Sequence, residues 1–530
     1  MRRTVRVHVD DGHAAPRLMA TLGQLAGVAF ASTGSHEARL QVSDAPAPIG
    51  AECEPFAATL RCAGIMVEGD GRRLERVDVK FTDDDAVPWP FRGRQVPTTL
   101  PANCAPLSPT DAERVLASTA SGALWVVRTV AGRVHFRSAM PLLEIPSDAS
   151  LAQVFGGSSF LANLPLMQFL AQFASTGLGA RQPLRASFMF DDPNLHWSTY
   201  GYVNYAELLN KAERENFHVS FATIPLDSWY VHDKTANRFR ERPERLSLLV
   251  HGNNHTRNEL ARESSPLGCS ALLQQAQRRI GKLEARAGLS IDRVMVPPHG
   301  ACSATMLAAL PGEGYEGACI SAGSLSAHNP GAAWITELGL RPAEQILGCP
   351  VLPRWALGDV EDGELLVAAY LGRPLILRGH HGDLRDGIDV LVSKASFING
   401  LGSVRWLGNT ALMRASHQLN MVGSTAYLRV FSRHVVASIP AFATALIIEP
   451  AELDAADERY LVSGLGPDHL ASLAYQAIPL SEGEKDFALA ITRPLTAAPS
   501  APVVARGLHT ASVLRRLLTE LRDRLMPLAS

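Results

Sequence analysis

The sequence predicts an α/β fold whose core lies over residues 151–385, with β-rich flanks at 1–150 and 386–530. Three observations predict it. Short apolar runs with strand character alternate with amphipathic helical runs through the middle of the chain. Before that, the texture is strands punctuated by turns. After it, strand-like runs return and the chain closes on one amphipathic helix.

Each element follows from its residues. In the first region "TVRVHV" and "ARLQVS" read as strands, and "ALWVVRTV" with "RVHFRSA" reads as a hairpin turned at Ala131 and Gly132. Pro and Gly punctuate 86–108, which reads as a loop or internal boundary. "SFLANLPLMQFLAQFA" (159–174) has helical spacing. Then come strand "RASFMF", helix "NYAELLNKAEREN", strand "HVSFATIPL", strand "RLSLLV", helix "ALLQQAQRRIGKLEARAG" and strand "RVMVPP". "SATMLAALP" is a short helix, and "GACISAG" and "RPLILRG" are strands. Such alternation argues for a parallel sheet, open or closed into a barrel. "TAYLRVFSRHVVASI" and "ATALIIE" read as accessory strands, "TAAPSAPVVA" as a linker, and "ASVLRRLLTELRDRL" as an amphipathic helix whose basic-apolar face is expected to dock on the protein, with a membrane as the alternative.

Composition excludes several classes. A chain of 530 residues with a net charge of -2 carries no field that favours nucleic acid or an anionic membrane globally. No apolar run is long enough to span a bilayer; "VVASIPAFATALII" is short and contains a proline. "LMATLGQLAGVAFAS" is mildly apolar, but the strand-like, acidic "VRVHVDDGH" before it argues against a signal peptide. The 7 cysteines are scattered and odd in number, without a CxxC, which fits a reducing compartment and a cytoplasmic location.

The chemistry gathers at strand ends. "RASFMF" runs into Asp191 and Asp192, two adjacent carboxylates that repel unless something uses them. "RLSLLV" runs into "HGNNH", with His251 and His255 four apart; a helix starting here puts both imidazoles on one face. Two such histidines and one carboxylate make a facial set for Zn²⁺ or a similar ion, with positions left for water. "RVMV" runs into "PPHG" with His299, and "LILRG" into "HHGD" with His380, His381 and Asp383. Taken singly, each motif reads as an ordinary solvated turn or a surface histidine. Their joint occurrence after successive apolar strands points to one rim, where parallel sheets place their sites. "HVDDGH" also follows a strand, but no HxxxH follows it, so Asp10 and Asp11 read as a turn.

FDDP, HGNNH, PPHG and a late strand ending in histidine together resemble the polysaccharide deacetylase (NodB-homology) carbohydrate esterases. The resemblance covers about 185–385. It implies a distorted (β/α)7 barrel that removes acetyl groups from N-acetylated sugars with one divalent metal, Zn²⁺ first and Co²⁺ or Mn²⁺ as alternatives. It places the catalytic base at Asp191, the metal ligands at Asp192, His251 and His255, and the general acid at His380 or His381. The family's third-motif arginine, which orients the base, is Val296 here; Arg354 in "LPRW" or Arg378 is expected to replace it. His299 stands at the aromatic position of that motif. Pro193 replaces the glycine that usually follows the acids, and Trp355 is the one counterpart of the fourth motif. Trp197, with His196, Tyr200 and Tyr202, offers rings to stack on a sugar, and Asp227 and Trp229 end another strand. Asn253 and Asn254 read as helix caps, and Cys302 as core.

The expected function is therefore a metal-dependent deacetylase of a carbohydrate. An amidase of the same fold on a non-sugar C–N bond and a catalytically silent carbohydrate-binding barrel are the rivals. The flanks name no ligand, and the sequence leaves the number of subunits open.

Overall fold

The computed structural model describes residues 5–9, 17–19, 21–22, 28–31, 38–43, 46–50, 56–63, 65–67, 73–144, 150–152, 160–173, 183–452, 455, 457–465, 470–481, 486–495 and 510–529. Asp10, Asp11 and the 496–505 linker lie outside the described residues, as does part of the weakly apolar 18–32 segment.

The central strands are β1 (Leu184–Asp191), β2 (Val219–Thr223), β3 (Leu246–His251), β4 (Ile291–Val296), β5 (Gly317–Cys319), β6 (Glu344–Ile346), β7 (Cys349–Leu352), β8 (Trp355–Ala356), β9 (Leu375–Gly379) and β10 (Val404–Trp406). Their order is β6-β7-β5-β4-β3-β2-β1-β9-β8, with β10 pairing to the start of β1. Every neighbouring pair is parallel except β6 with β7. All of β1 is buried, which is why it reads as a nearly continuous apolar run and not as an alternating one.

The spacing predicts the first and third of the crossover helices that follow; the second is not among the expectations from sequence. α1 (Tyr205–Arg214) starts at Asn204, whose side chain accepts from the Ala206 and Glu207 amides. α2 spans Asp233–Glu241. α3 (Pro266–Ala287) starts behind Ser265, which accepts from the Gly268 amide, and stops at Gly288 with φ 59°. Because β1, β3, β4 and β9 run the same way, residues 191–192, 251–255, 297–299 and 380–381 leave the sheet at one edge.

The N-terminal strands form a nine-stranded sheet. The predicted hairpin pairs Gly122–Val130 with Arg133–Ser138, and Ala131 and Gly132 both have positive φ, as a tight hairpin turn requires. The stretch 86–108, expected as a loop, contains the strand Gln95–Pro101. It is an edge strand, where Pro97 and Pro101 remove no ladder bond that a further strand would need. The accessory strands beyond β10 build two four-stranded sheets over a shared apolar core that includes Leu428, Ala437, Ile448 and Tyr460. The last helix, α4 (Thr510–Ala529), does not join that core; it crosses the edge where β1, β3 and β9 end.

Candidate metal centre

Asp192 follows β1 with φ 63°, a left-handed conformation that a non-glycine residue holds at a cost. That bend turns its carboxylate back toward β3. Its Oδ1 lies 3.1 Å from His251 Nε2 and 2.7 Å from His255 Nε2. Among the described residues this is the one set of three metal-capable side chains whose ligand atoms converge.

The donor set fits a divalent cation. Asp192 Oδ1 is buried between two ring nitrogens yet has no hydrogen bond, which is the condition of an oxygen waiting for a cation. His251 Nδ1 lies 2.9 Å from the Val296 carbonyl. Donating there assigns the proton to Nδ1 and leaves the Nε2 lone pair facing the cluster. Burial pushes the Asp192 carboxyl up, but His251 and His255 outweigh it and hold it well below the usual range. Burial likewise lowers His251, and Asp192 raises it overall. Three donors thus stabilise positive charge at one point.

The local route to this geometry differs from the one expected. His251 is the last residue of β3, and His255 sits in the following turn with φ 54°; they do not share a helical face. The turn is held by Glu259, whose Oε1 accepts from the Asn253, Asn254 and His255 amides at 2.7, 3.1 and 3.0 Å. Gly252 has φ 58°, and a side chain there would collide with Glu259 and Pro298. Asn253 and Asn254 do not cap a helix. Asn253 Nδ2 donates to Gln275 Oε1 at 2.7 Å, and Arg279 donates to both asparagine side-chain oxygens.

Asp191 is buried and faces Arg354, whose Nη1 lies 3.4 and 3.3 Å from its two oxygens. So the structure pairs the first acid with the arginine after β7. Arg378 lines a neighbouring cavity of about 470 Å³ with Trp355 and Arg373, which Arg354 also borders. Trp355 is half-buried, with the Arg373 guanidinium 5.2 Å from its ring centre.

The two late histidines part company. His380 is exposed, and its backbone amide donates to Asp383 Oδ2 at 2.7 Å. His381 is buried against Tyr200 and Tyr202, with ring centres 4.9 and 5.9 Å away. Gly201 between those tyrosines has φ 51°, and a Cβ there would strike the His381 ring. His299 (φ 58°) is exposed beside the cluster, its ring 5.2 Å from that of His255; burial and the neighbouring His255 lower its pKa. Trp197 is exposed under the Arg524 guanidinium, 4.0 Å from the ring centre.

α4 supplies residues that the sequence reasoning missed. Arg516 pairs with buried Asp227 at 2.7 Å, Glu520 with His196 at 3.0 Å, and Asp523 approaches His381 at 3.7 Å. Arg515 donates to the His255 carbonyl. Their sequence distance from the motifs left no signal; Asp227 and His196 alone were visible, as polar residues ending or following apolar runs.

No family model and no curated protein matches the chain. Solved structures do. One is the carbohydrate deacetylase Agd3, at 11% identity and TM-score 0.46, covering 92% of this chain and 99% of that one. Another is a putative polysaccharide deacetylase from Mycobacterium smegmatis, at 16% identity and TM-score 0.33, covering 44% of this chain and 91% of that one. A third is a family 4 carbohydrate esterase from Streptomyces lividans, at 11% identity and TM-score 0.26, covering 42% and 91%. These three are named as carbohydrate deacetylases or esterases, and another similar structure is named as a family 4 pseudoenzyme from Bacillus anthracis.

Proposed function

We propose that the chain is a metal-dependent hydrolase that removes acetyl groups from an N-acetylated sugar or polysaccharide. The observation that carries this is a buried acid held by an arginine, Asp191 with Arg354, directly beside the Asp192, His251 and His255 donor set. A divalent ion bound there, Zn²⁺ or else Co²⁺ or Mn²⁺, supplies a Lewis acid for a carbonyl and acidifies adjacent water. Asp192, His251 and His255 would hold it.

The chain's own residues do the rest. Asp191 accepts a proton from the attacking water. Arg354 keeps that carboxylate oriented, the role vacated at Val296. His381 donates a proton to the leaving amine; its burial against two tyrosines fixes the ring, and Asp523 faces it. His380, turned to solvent, is left out of this role. Trp197, His299 and Trp355 line the approach for a sugar. The parallel run β7-β5-β4-β3-β2-β1-β9-β8 supports a distorted (β/α)7 barrel as the scaffold. That no disulfide joins the cysteines among the described residues, Cys302 among them, is in keeping with a reducing, cytoplasmic setting.

Elemental analysis tests the centre, and acetate release from N-acetylated oligosaccharides tests the reaction. The expected result is about one divalent ion per chain, lost in a His251→Ala/His255→Ala double variant, with acetate release abolished in Asp191→Asn. No ion in the wild type after supply of Zn²⁺, Co²⁺ or Mn²⁺ overturns the proposal. Turnover of simple amides without acetylated sugars would assign the amidase instead.

A further inference from the structure

We infer that the outward face of α4 docks on an anionic lipid surface. The helix lies the wrong way round for a helix that packs only on its own protein. Its polar side is the buried one: Arg516 and Asp523 are each 5% exposed. Its leucines point out. Leu514, Leu517, Leu518, Leu521 and Leu525 are each 45–60% exposed, and their spacing places them on one continuous helical stripe.

The charges choose the occupant. Both acids of the helix turn inward, Glu520 to His196 and Asp523 toward His381, with side chains 11% and 7% exposed. The arginines Arg515, Arg522 and Arg524 are exposed, and the Arg522 side chain is 65% open. Arg522 pairs with Asp523 at 2.6 Å, so the outer surface is leucine with the outward arginines Arg515 and Arg524, and no acid of the helix is exposed on it. A second copy seated on it would set arginines against arginines. An anionic headgroup layer over an apolar interior matches both features at once.

The surroundings extend the match. Trp197, Trp229 and Tyr230, 43%, 56% and 45% exposed, sit beside the helix. Arg524 covers Trp197, and His196, which Glu520 holds, packs on Trp229 and Tyr230. Tryptophan and tyrosine favour the level of the headgroups. No helix among the described residues is long and apolar enough to cross a membrane, so the contact is peripheral. Because α4 lies over the strand ends, this docking sets the metal centre beside the bilayer surface.

Co-sedimentation of the full chain with phosphatidylcholine vesicles, with and without phosphatidylglycerol, tests the inference. Binding is expected to be at least about tenfold stronger on the anionic vesicles and to fall at least about tenfold in Leu518→Gln/Leu521→Gln/Leu525→Gln. Those side chains are exposed, so the variant should keep the wild-type melting curve. Arg524→Gln, a single change at an exposed side chain, gives a second measure should the triple variant not fold, and should weaken binding several-fold. No binding to anionic vesicles, or binding that neither variant weakens, overturns the inference. A dimer seen by light scattering, abolished by the glutamines and without vesicle binding, would give the face to a second copy and also overturn it.

Discussion

Replacing Arg354 by methionine leaves the Asp191 carboxylate buried without its cation. The carboxylate is 4% exposed, with the guanidinium nitrogen 3.3 Å away. At an effective dielectric near 20, that separation corresponds to about 5 kcal/mol of attraction. Part of it is offset by the desolvation that the arginine itself no longer suffers. A net loss of about 3 kcal/mol follows, the usual cost of removing one partner of a buried pair. Urea denaturation of metal-free protein reads it directly. In the metal-loaded enzyme, kcat should fall about a hundredfold, because a base that rotates freely is a poor base. KM should change little. Arg354→Lys restores charge without the planar fork and should recover part of the stability but less of the rate. Unchanged denaturation midpoints and unchanged kcat in Arg354→Met would refute the assignment of Arg354 as the residue that holds Asp191.

Removing Glu259 as alanine strands three amides around His255, and Zn²⁺ affinity by calorimetric titration should drop about 10–100-fold; an unaltered titration would show that the turn holds itself. Gly201→Ala forces a side chain toward the His381 ring in a left-handed backbone, so kcat should fall at least about tenfold, while the metal content stays at the wild-type level; full turnover would mean His381 is not the acid. Glu316, directly before β5, pairs with His434 at 2.7 Å and with Arg414 at 2.6 Å. Burial pushes its carboxyl up, yet these two partners bring it down to about 2 from an ordinary 4.5. A depressed carboxyl stabilises the fold above its unfolded value and loses that contribution as pH falls through its folded value. The window is therefore pH 4.5 down to about 2, and the contribution is about 2 kcal/mol after allowance for solvent screening. Thermal melts over that range should fall less steeply in Glu316→Gln than in the wild type; identical slopes would refute the linkage.

The sheet was legible because its strands are buried on both faces. A run such as "RASFMF" is short and carries only Arg185 and Ser187 as polar residues, at alternate positions, and the carboxylates that end it mark the rim. The donor set was legible for the same reason, as polar residues at the ends of apolar runs. The local path between His251 and His255 was not. A spacing of four suits a helix and also suits a turn closed by one acceptor, and here Glu259 closes the turn by accepting from three successive amides. The partner of Asp191 was half legible: the missing arginine at Val296 demanded a replacement, but Arg354 and Arg378 both follow or end strands of the same sheet. Only the fold, which brings Arg354 and not Arg378 onto Asp191, separates them.

α4 shows where periodicity stops informing. The spacing of its leucines fixes that the helix has an apolar stripe, and nothing in a stripe says which side faces the protein. That choice depends on what the receiving surface offers. Here it offers Asp227, His196 and His381, polar groups at strand ends that burial would otherwise leave unmatched. Arg516, Glu520 and Asp523 meet them one by one. A charged rim therefore selects the charged side of the helix, and the leucines are turned outward as a consequence. The same features that make a rim suited to proton transfer thus determine what the far side of its covering helix presents to the surroundings.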